Sequence, residues 1–401
     1  MRFLLLFLVY LWILPDPPNP VGTENNHSNE KSPSKNSSKG KLIAKNTNNL
    51  EHCFHELMNK YVQEDRDYFL AIRKSKSIQE KTQAEQKKPN NHYYLAQIDH
   101  YLDDYPHHEL AIEMVKTAMW LSELKEKKYF NYLLKYEIKN PRIILICDYL
   151  ANHYVSNNCC KDCIALLEEI RKQNQSTHIQ GVATFALANQ YIHVARKIHK
   201  EIESDPKTIA PLSQIEVTYR ENAVKHYEEI LSLYGNVEFE HKTSLKQLVV
   251  PALFELRFLG LGKPLPNSTG KTLDGSSDEF KKYQGKVLVI HFWATWCPPS
   301  RKLLFYLDSI TKKFPKDQIQ MIHINLDEEA DIAKKFLKNN PISGIHWWDE
   351  ADSGLQHKWN IRQIPALFII DNQGIIRAKN VKSTEIYPLL EKYINSTDKS
   401  R

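Results

Sequence analysis

VLVIHFWATWCPPS, residues 287–300, contains three kinds of local structure in one line. VLVIHFW reads as a buried strand, with His291 its one polar member. Pro298 and Pro299 suit the first turn of a helix, where a missing N–H costs nothing. The helix then runs through SRKLLFYLDSITKKF, residues 300–314. Cys297 therefore sits where a strand gives way to a helix start. Unpaired N–H groups and a partial positive charge gather there and favour thiolate over thiol. Arg301 and Lys302 add positive charge in the next turn. Trp293 and Trp296 are expected to shield the sulfur and to shape a shallow apolar surface for a substrate chain. A buried, inert core cysteine would need no such placement.

Outward from this stretch the grammar is α/β. Pro264, Pro266 and the turn Asp274-Gly275 punctuate short segments, as in a β-hairpin. QMIHINLD (320–327) reads as a strand, ADIAKKFLKNN (330–340) as a helix and ALFIID (366–371) as a strand. The turn Asn372-Gln373-Gly374 leads to a hairpin partner, IIRAKN (375–380), and EIYPLLEKYI (385–394) closes with a helix. This alternation predicts a sheet flanked by helices.

VLVIHFWATWCPP, then INLDEE, then IRQIPALFIIDNQGII resembles the TlpA/ResA-type branch of the thioredoxin superfamily over roughly residues 262–395. The resemblance implies a thioredoxin-like fold with a central mixed sheet, and thiol–disulfide exchange with protein thiols or disulfides as partners. It also implies that the bond before Pro365 is cis and lies against the cysteine. Ile364 would then offer its backbone to a substrate segment as an added strand would. No cofactor or metal is required.

Two positions depart from the family. Ser300 replaces the resolving cysteine, and Leu303 stands where an acidic residue often lies. A hydroxyl cannot form a disulfide, so the mixed disulfide formed by Cys297 has no neighbour to release it. Ser300 can still donate a hydrogen bond to the thiolate. One-thiol exchange is left, finished by a thiol from the substrate, a small thiol or a partner protein. His291 is either a satisfied core histidine or a proton-transfer group.

The first 250 residues have a different character. Arg2 precedes an apolar run at residues 3–14 that fits a secretory signal, so 1–22 is a signal peptide or an uncleaved membrane tether. Export to a periplasmic or cell-envelope compartment follows. Residues 23–50 are rich in Asn, Ser and Lys and read as a disordered linker. Residues 51–250 are helical and precede the α/β domain at 251–401. Amphipathic runs at 142–155, 163–173, 181–198 and 221–235 fit either a helical-hairpin array of tetratricopeptide type or an irregular bundle. In 221–235, Ala223, Tyr227, Ile230, Leu231 and Tyr234 form one stripe, and Gly235 is placed as the C-cap.

NNCCKDC contains a second C-x-x-C, Cys160 and Cys163: an auxiliary redox pair, a structural disulfide among Cys159, Cys160 and Cys163, or unpaired helical cysteines. The βαβ setting of a redox C-x-x-C is absent. The 401 residues carry 54 Lys and Arg against 48 Asp and Glu, a net +6 without a dense basic block, so nucleic acid is not the expected partner. Single-thiol exchange through Cys297 is the leading reading. A binding scaffold with a relic redox site and a thiol peroxidase are the rivals.

Overall fold

A computed structural model describes residues 47–152, 160–203, 213–350 and 354–395. The apolar run at 3–14, residues 23–46 and Cys159 lie outside the described residues.

The helical part comprises α1 (Thr47–Lys74), α2 (Ile78–Glu85), α3 (Asn91–Asp104), α4 (Ala111–Leu121), α5 (Lys127–Tyr132), α6 (Ile144–Asn152), α7 (Cys160–Gln173), α8 (Thr177–Glu203), α9 (Gln214–Glu229) and α10 (Leu245–Phe258). Helix starts are chemically marked. Ser77 with Glu80 and Ser244 with Gln247 form capping boxes, satisfying N–H groups that the helix itself leaves unpaired. The centre is α8, which packs against α6, α7 and α9. Its buried Ala183, Ala186 and Ala188 are small enough to let three helices approach one.

Two boundaries differ from the sequence reading. α1 begins at Thr47, inside the stretch read as linker, because Leu50 is fully buried in the helical core. α10 runs through residue 250, so the chain changes from helix to strand only after Phe258. Gly235 is the C-cap, as read, with a right-handed φ of −56°. A π-turn at Ile230–Tyr234 precedes it, rotating the stripe so that Leu231 faces outward.

The sheet has seven strands in the order β2-β1-β5-β4-β3-β6-β7. They are β1 (Thr269–Thr272), β2 (Ser277–Glu279), β3 (Val287–Trp293), β4 (Ile319–Asn325), β5 (Ile345–Trp348), β6 (Ala366–Ile370) and β7 (Ile376–Lys379). β3 is parallel to β4 and antiparallel to β6, and β4 is parallel to β5, which makes the sheet mixed. Four more helices complete the domain: α11 (Pro298–Thr311), α12 (Ala330–Asn339), α13 (Leu355–Lys358) and α14 (Ser383–Asn395).

Side chains alternate across β3. Val287 and Val289 pack with Leu307, Ile310, Leu390 and Ile394 of α11 and α14. Leu288, Ile290 and Phe292 pack on the other face with Phe280, Trp347 and Trp359, and Phe254 of α10 borders that cluster. The end of α10 thus borders one face of the sheet. Among the described residues no helix is long and apolar enough to cross a membrane.

Gly270 of β1 lies flat against the Trp347 ring. A Cβ there would come within 2.2 Å of Trp347 Cε3. Trp347 cannot retreat, since it stacks on Phe280 at 4.7 Å and donates to Asp278 at 3.0 Å. Gly270→Ala is expected to cost about 1–3 kcal/mol in urea unfolding, the usual penalty of an overfilled core.

Candidate active site

β3 ends at Trp293 and the chain turns at once. The Cys297 N–H donates to the Ala294 carbonyl at 3.2 Å, and the Arg301 N–H donates to the Cys297 carbonyl at 3.1 Å. Cys297 is therefore the N-cap of α11, with the prolines in the first turn. The turn is gripped from the side by Asp327, which is 2% exposed. Its carboxylate accepts from Thr295 N and Oγ1, both at 3.0 Å, and from Asn325 Nδ2 at 2.8 Å. Sequence reasoning did not single out Asp327. Its signal is a carboxylate just beyond a buried strand, in the INLDEE stretch.

Cys297 is a free thiol, 7% exposed. Its S–H donates to the Ile364 carbonyl at 3.7 Å, and its sulfur makes no capping bond to α11. The Ile364–Pro365 bond is cis. Trp296 is 67% exposed, and Pro298 and Pro299 are exposed beside it. Trp296, Pro298, Pro299, Ile364 and Pro365 are thus brought together around Cys297.

Two expected roles change. Trp293 is fully buried and packs on Phe336 with centroids 5.6 Å apart. It shares a strand face with Val287 and Val289, so it belongs to the interior beneath α11 rather than to a substrate surface. Ser300 makes no hydrogen bond to Cys297. Its hydroxyl is fully buried and has no partner among the described residues. Ser300 shares a helical stripe with the buried Leu304 and Leu307, which turns it toward the sheet, while the sulfur turns to Ile364.

Three histidines lie side by side across β3, β4 and β5: His291 pairs with His323, and His323 with His346. Ring centroids are 5.7 and 5.0 Å apart. Neither ring nitrogen of His291 has a hydrogen-bond partner, so it is a core histidine without the satisfied bonds expected of one. Burial, with His346 adding to it, pushes His291 down to about 3. Burial, then His346 and His291, pushes His323 down as well. Among the described residues no group of His, Cys, Asp and Glu side chains is arranged to hold a metal ion.

Cys163 lies in the core of the helical part, and Cys160 begins α7. Cys147 is also interior, and burial pushes its thiol up.

The mixed sheet, the helix-start cysteine and the proline loop against it place the C-terminal region in the thioredoxin-like class. Residues 261–379 match the AhpC/TSA family. A thiol-disulfide oxidoreductase ResA from Bacillus thuringiensis subsp. konkukian is 26% identical over 134 residues, 33% of this chain and 76% of that protein. The sporulation thiol-disulfide oxidoreductase A of Bacillus subtilis is 25% identical over 147 residues, 36% of this chain and 76% of its own. The thioredoxin domain of a thiol-disulfide oxidoreductase from Bacteroides vulgatus is 23% identical, covering 34% of this chain and 98% of its own, with a TM-score of 0.32. The C-terminal region is a thioredoxin-like domain homologous to ResA/TlpA-type thiol–disulfide oxidoreductases.

Two measurements follow. Unfolding frees His291 and His323 to bind protons at an ordinary pKa of about 6.5, whereas the folded rings stay neutral to lower pH. The unfolded state then holds more protons, so stability falls as pH drops below about 6.5, by up to about 2.7 kcal/mol per pH unit for two rings. Urea unfolding between pH 7 and 4 checks this, and His291→Leu should flatten the slope. Asp327→Ala should cost roughly 3 kcal/mol, because it strips a charged acceptor from three donors. It should also speed alkylation of Cys297, since the turn that buries it is released.

Proposed function

We propose that this protein exchanges thiols and disulfides through Cys297 acting alone. The observation that carries the reading is a single free thiol at a helix start, with a buried hydroxyl where a second thiol would stand. In the first step the Cys297 thiolate attacks one sulfur of a substrate disulfide. A new S–S bond forms to Cys297, the old one breaks, and the other substrate sulfur leaves as a thiolate. In the second step another thiolate attacks the substrate sulfur of this mixed disulfide, and Cys297 leaves as a thiolate. When that thiolate belongs to the substrate, its disulfide pairing is rearranged with no net redox change. When it belongs to a small thiol, the result is transfer of a thiol cap.

Trp296, Pro298 and Pro299 form the apolar rim against which the substrate rests. The backbone at Ile364 and Pro365 offers an extended segment a place to align beside the sulfur. Trp293 supports this rim from below, and Ser300 marks the missing resolving thiol. Residues 1–22 act as an export signal or anchor, so the exchange takes place in the periplasm or cell envelope, where disulfides persist.

With a disulfide-bonded protein substrate, the full chain should accumulate a covalent adduct on non-reducing gels, released by a small thiol. Cys297→Ala should form none. Ser300→Cys should replace the adduct with a disulfide between positions 297 and 300, and raise insulin reduction by about tenfold or more. Equal insulin reduction by the parent and Ser300→Cys would refute single-thiol chemistry.

A further inference from the structure

A groove of about 1510 Å³ runs along the junction between the helical part and the sheet. It lies between α8, α9 and α10 on one side and residues 359–363, β6 and β7 on the other. Pockets for small ligands span roughly 300–1,000 Å³, so this one has the size of a site for a length of chain. Its lining holds eight lysines and arginines against three glutamates. The whole chain carries only +6, so much of its excess charge gathers here.

Part of that charge is internally balanced. Glu255 pairs with Arg196 at 3.6 Å and with Lys379 at 3.2 Å. Arg220 pairs with the buried Glu216 at 2.7 Å, and Arg257 pairs with Glu228. Lys225, Lys263 and Arg362 have no carboxylate partner among the described residues, and all three are exposed. Between the charges lie Val217, Val224, Leu256, Leu261 and Phe368, an apolar floor. The groove also reaches the sulfur's own loop. Arg362 and Gln363 line it, and the next residue, Ile364, holds its carbonyl 3.7 Å from Cys297 Sγ.

We infer that this groove binds an extended acidic segment of the protein substrate and so delivers the neighbouring disulfide to Cys297. The inference rests on the single-thiol exchange proposed above and names its substrate class: proteins in which carboxylates and apolar residues flank the reactive cysteine. Lys225, Lys263 and Arg362 meet the carboxylates, and the floor takes the apolar side chains. The helical part then serves as one wall of the substrate site. The covalent step is the one already described, and the groove changes only which disulfides arrive.

Two readouts on the full chain test it. In the first, matched Glu-rich, Ser-rich and Lys-rich peptides each carry one cysteine in a disulfide with an aromatic thiol, and release of that thiolate is followed by stopped flow. The acidic peptide should react about tenfold or more faster than the basic one at low salt. The advantage should collapse near 1 M salt, where the screening length is about 3 Å. Lys225→Glu with Lys263→Glu should shrink the acidic-to-basic ratio at least about fivefold. In the second, fluorescence anisotropy measures binding of a cysteine-free acidic peptide, which needs no reaction. Equal rates and equal binding for the three peptides would overturn the inference while leaving the thiol chemistry standing. Selective binding of the acidic peptide with no reaction from any disulfide would uphold the groove and defeat the exchange reading. An oligothymidylate that binds as tightly as the acidic peptide would mark a generic polyanion surface and also overturn the inference.

Discussion

The structure around Cys297 depends on β3 being buried on both faces while its edges are paired on both sides. Every residue from Val287 to Trp293 is interior. Burial would be costly for seven unpaired peptide groups, but β4 and β6 flank the strand along nearly its whole length. A strand held this way has one register, because a slip of one residue would exchange its two packed faces. Its end is therefore a fixed point, and Cys297 is only one turn beyond it. Asp327 extends that rigidity past the strand by gripping Thr295, and α11 begins from a turn that cannot drift.

Against this fixed frame, the Ser300 hydroxyl stands out. A buried hydroxyl without a partner costs about 1–3 kcal/mol. The position faces the sheet along with Leu304 and Leu307, where an apolar side chain or a thiol would carry no such penalty. Serine there suits neither packing nor a dithiol. The three histidines deepen the effect, since the interior under α11 also holds His291, with neither ring nitrogen partnered, and His323, whose Nε2 meets the Ser343 carbonyl at 3.3 Å while its Nδ1 has no partner; burial holds both neutral. The chemistry at the surface thus rests on an unusually polar but uncharged floor.

Much of this was legible in the sequence, and the failures have definite causes. β3 and β6 are continuous apolar runs, and the strand–turn–helix around Cys297 is punctuated by prolines, so both could be read directly. β5 escaped because Ile-His-Trp-Trp is four residues long and shows no alternation of polarity. The error at Trp293 was avoidable: residues 287, 289, 291 and 293 share a face, and that face carries two valines. Ser300 could have been placed by the same kind of reasoning from its spacing to Leu304 and Leu307. The Asp327 clamp and the basic groove had no such local signal. Each joins residues that the fold alone brings together, from Thr295 to Asp327 in one case and from Arg196 to Asn380 in the other.

The groove gives the helical part a structural reason to be where it is. Glu255 of α10 accepts from Asn360 Nδ2 at 2.8 Å and from Lys379 at 3.2 Å, and Arg196 of α8 stands 3.6 Å away. Burial pushes this carboxyl up, but Lys379, Arg196 and the Asn360 bond outweigh it and hold the group below the usual range. One charged carboxylate thus ties two helices, β7 and the loop that runs on to Ile364. Asn360 itself takes a left-handed φ of 56°, which asparagine tolerates better than most residues. A helical domain acting as a plain spacer would need no partly buried ion pair to the sheet, and a pair that lost one partner would leave a poorly solvated charge behind. The junction is therefore built to hold the groove, the loop and the thiol in one geometry.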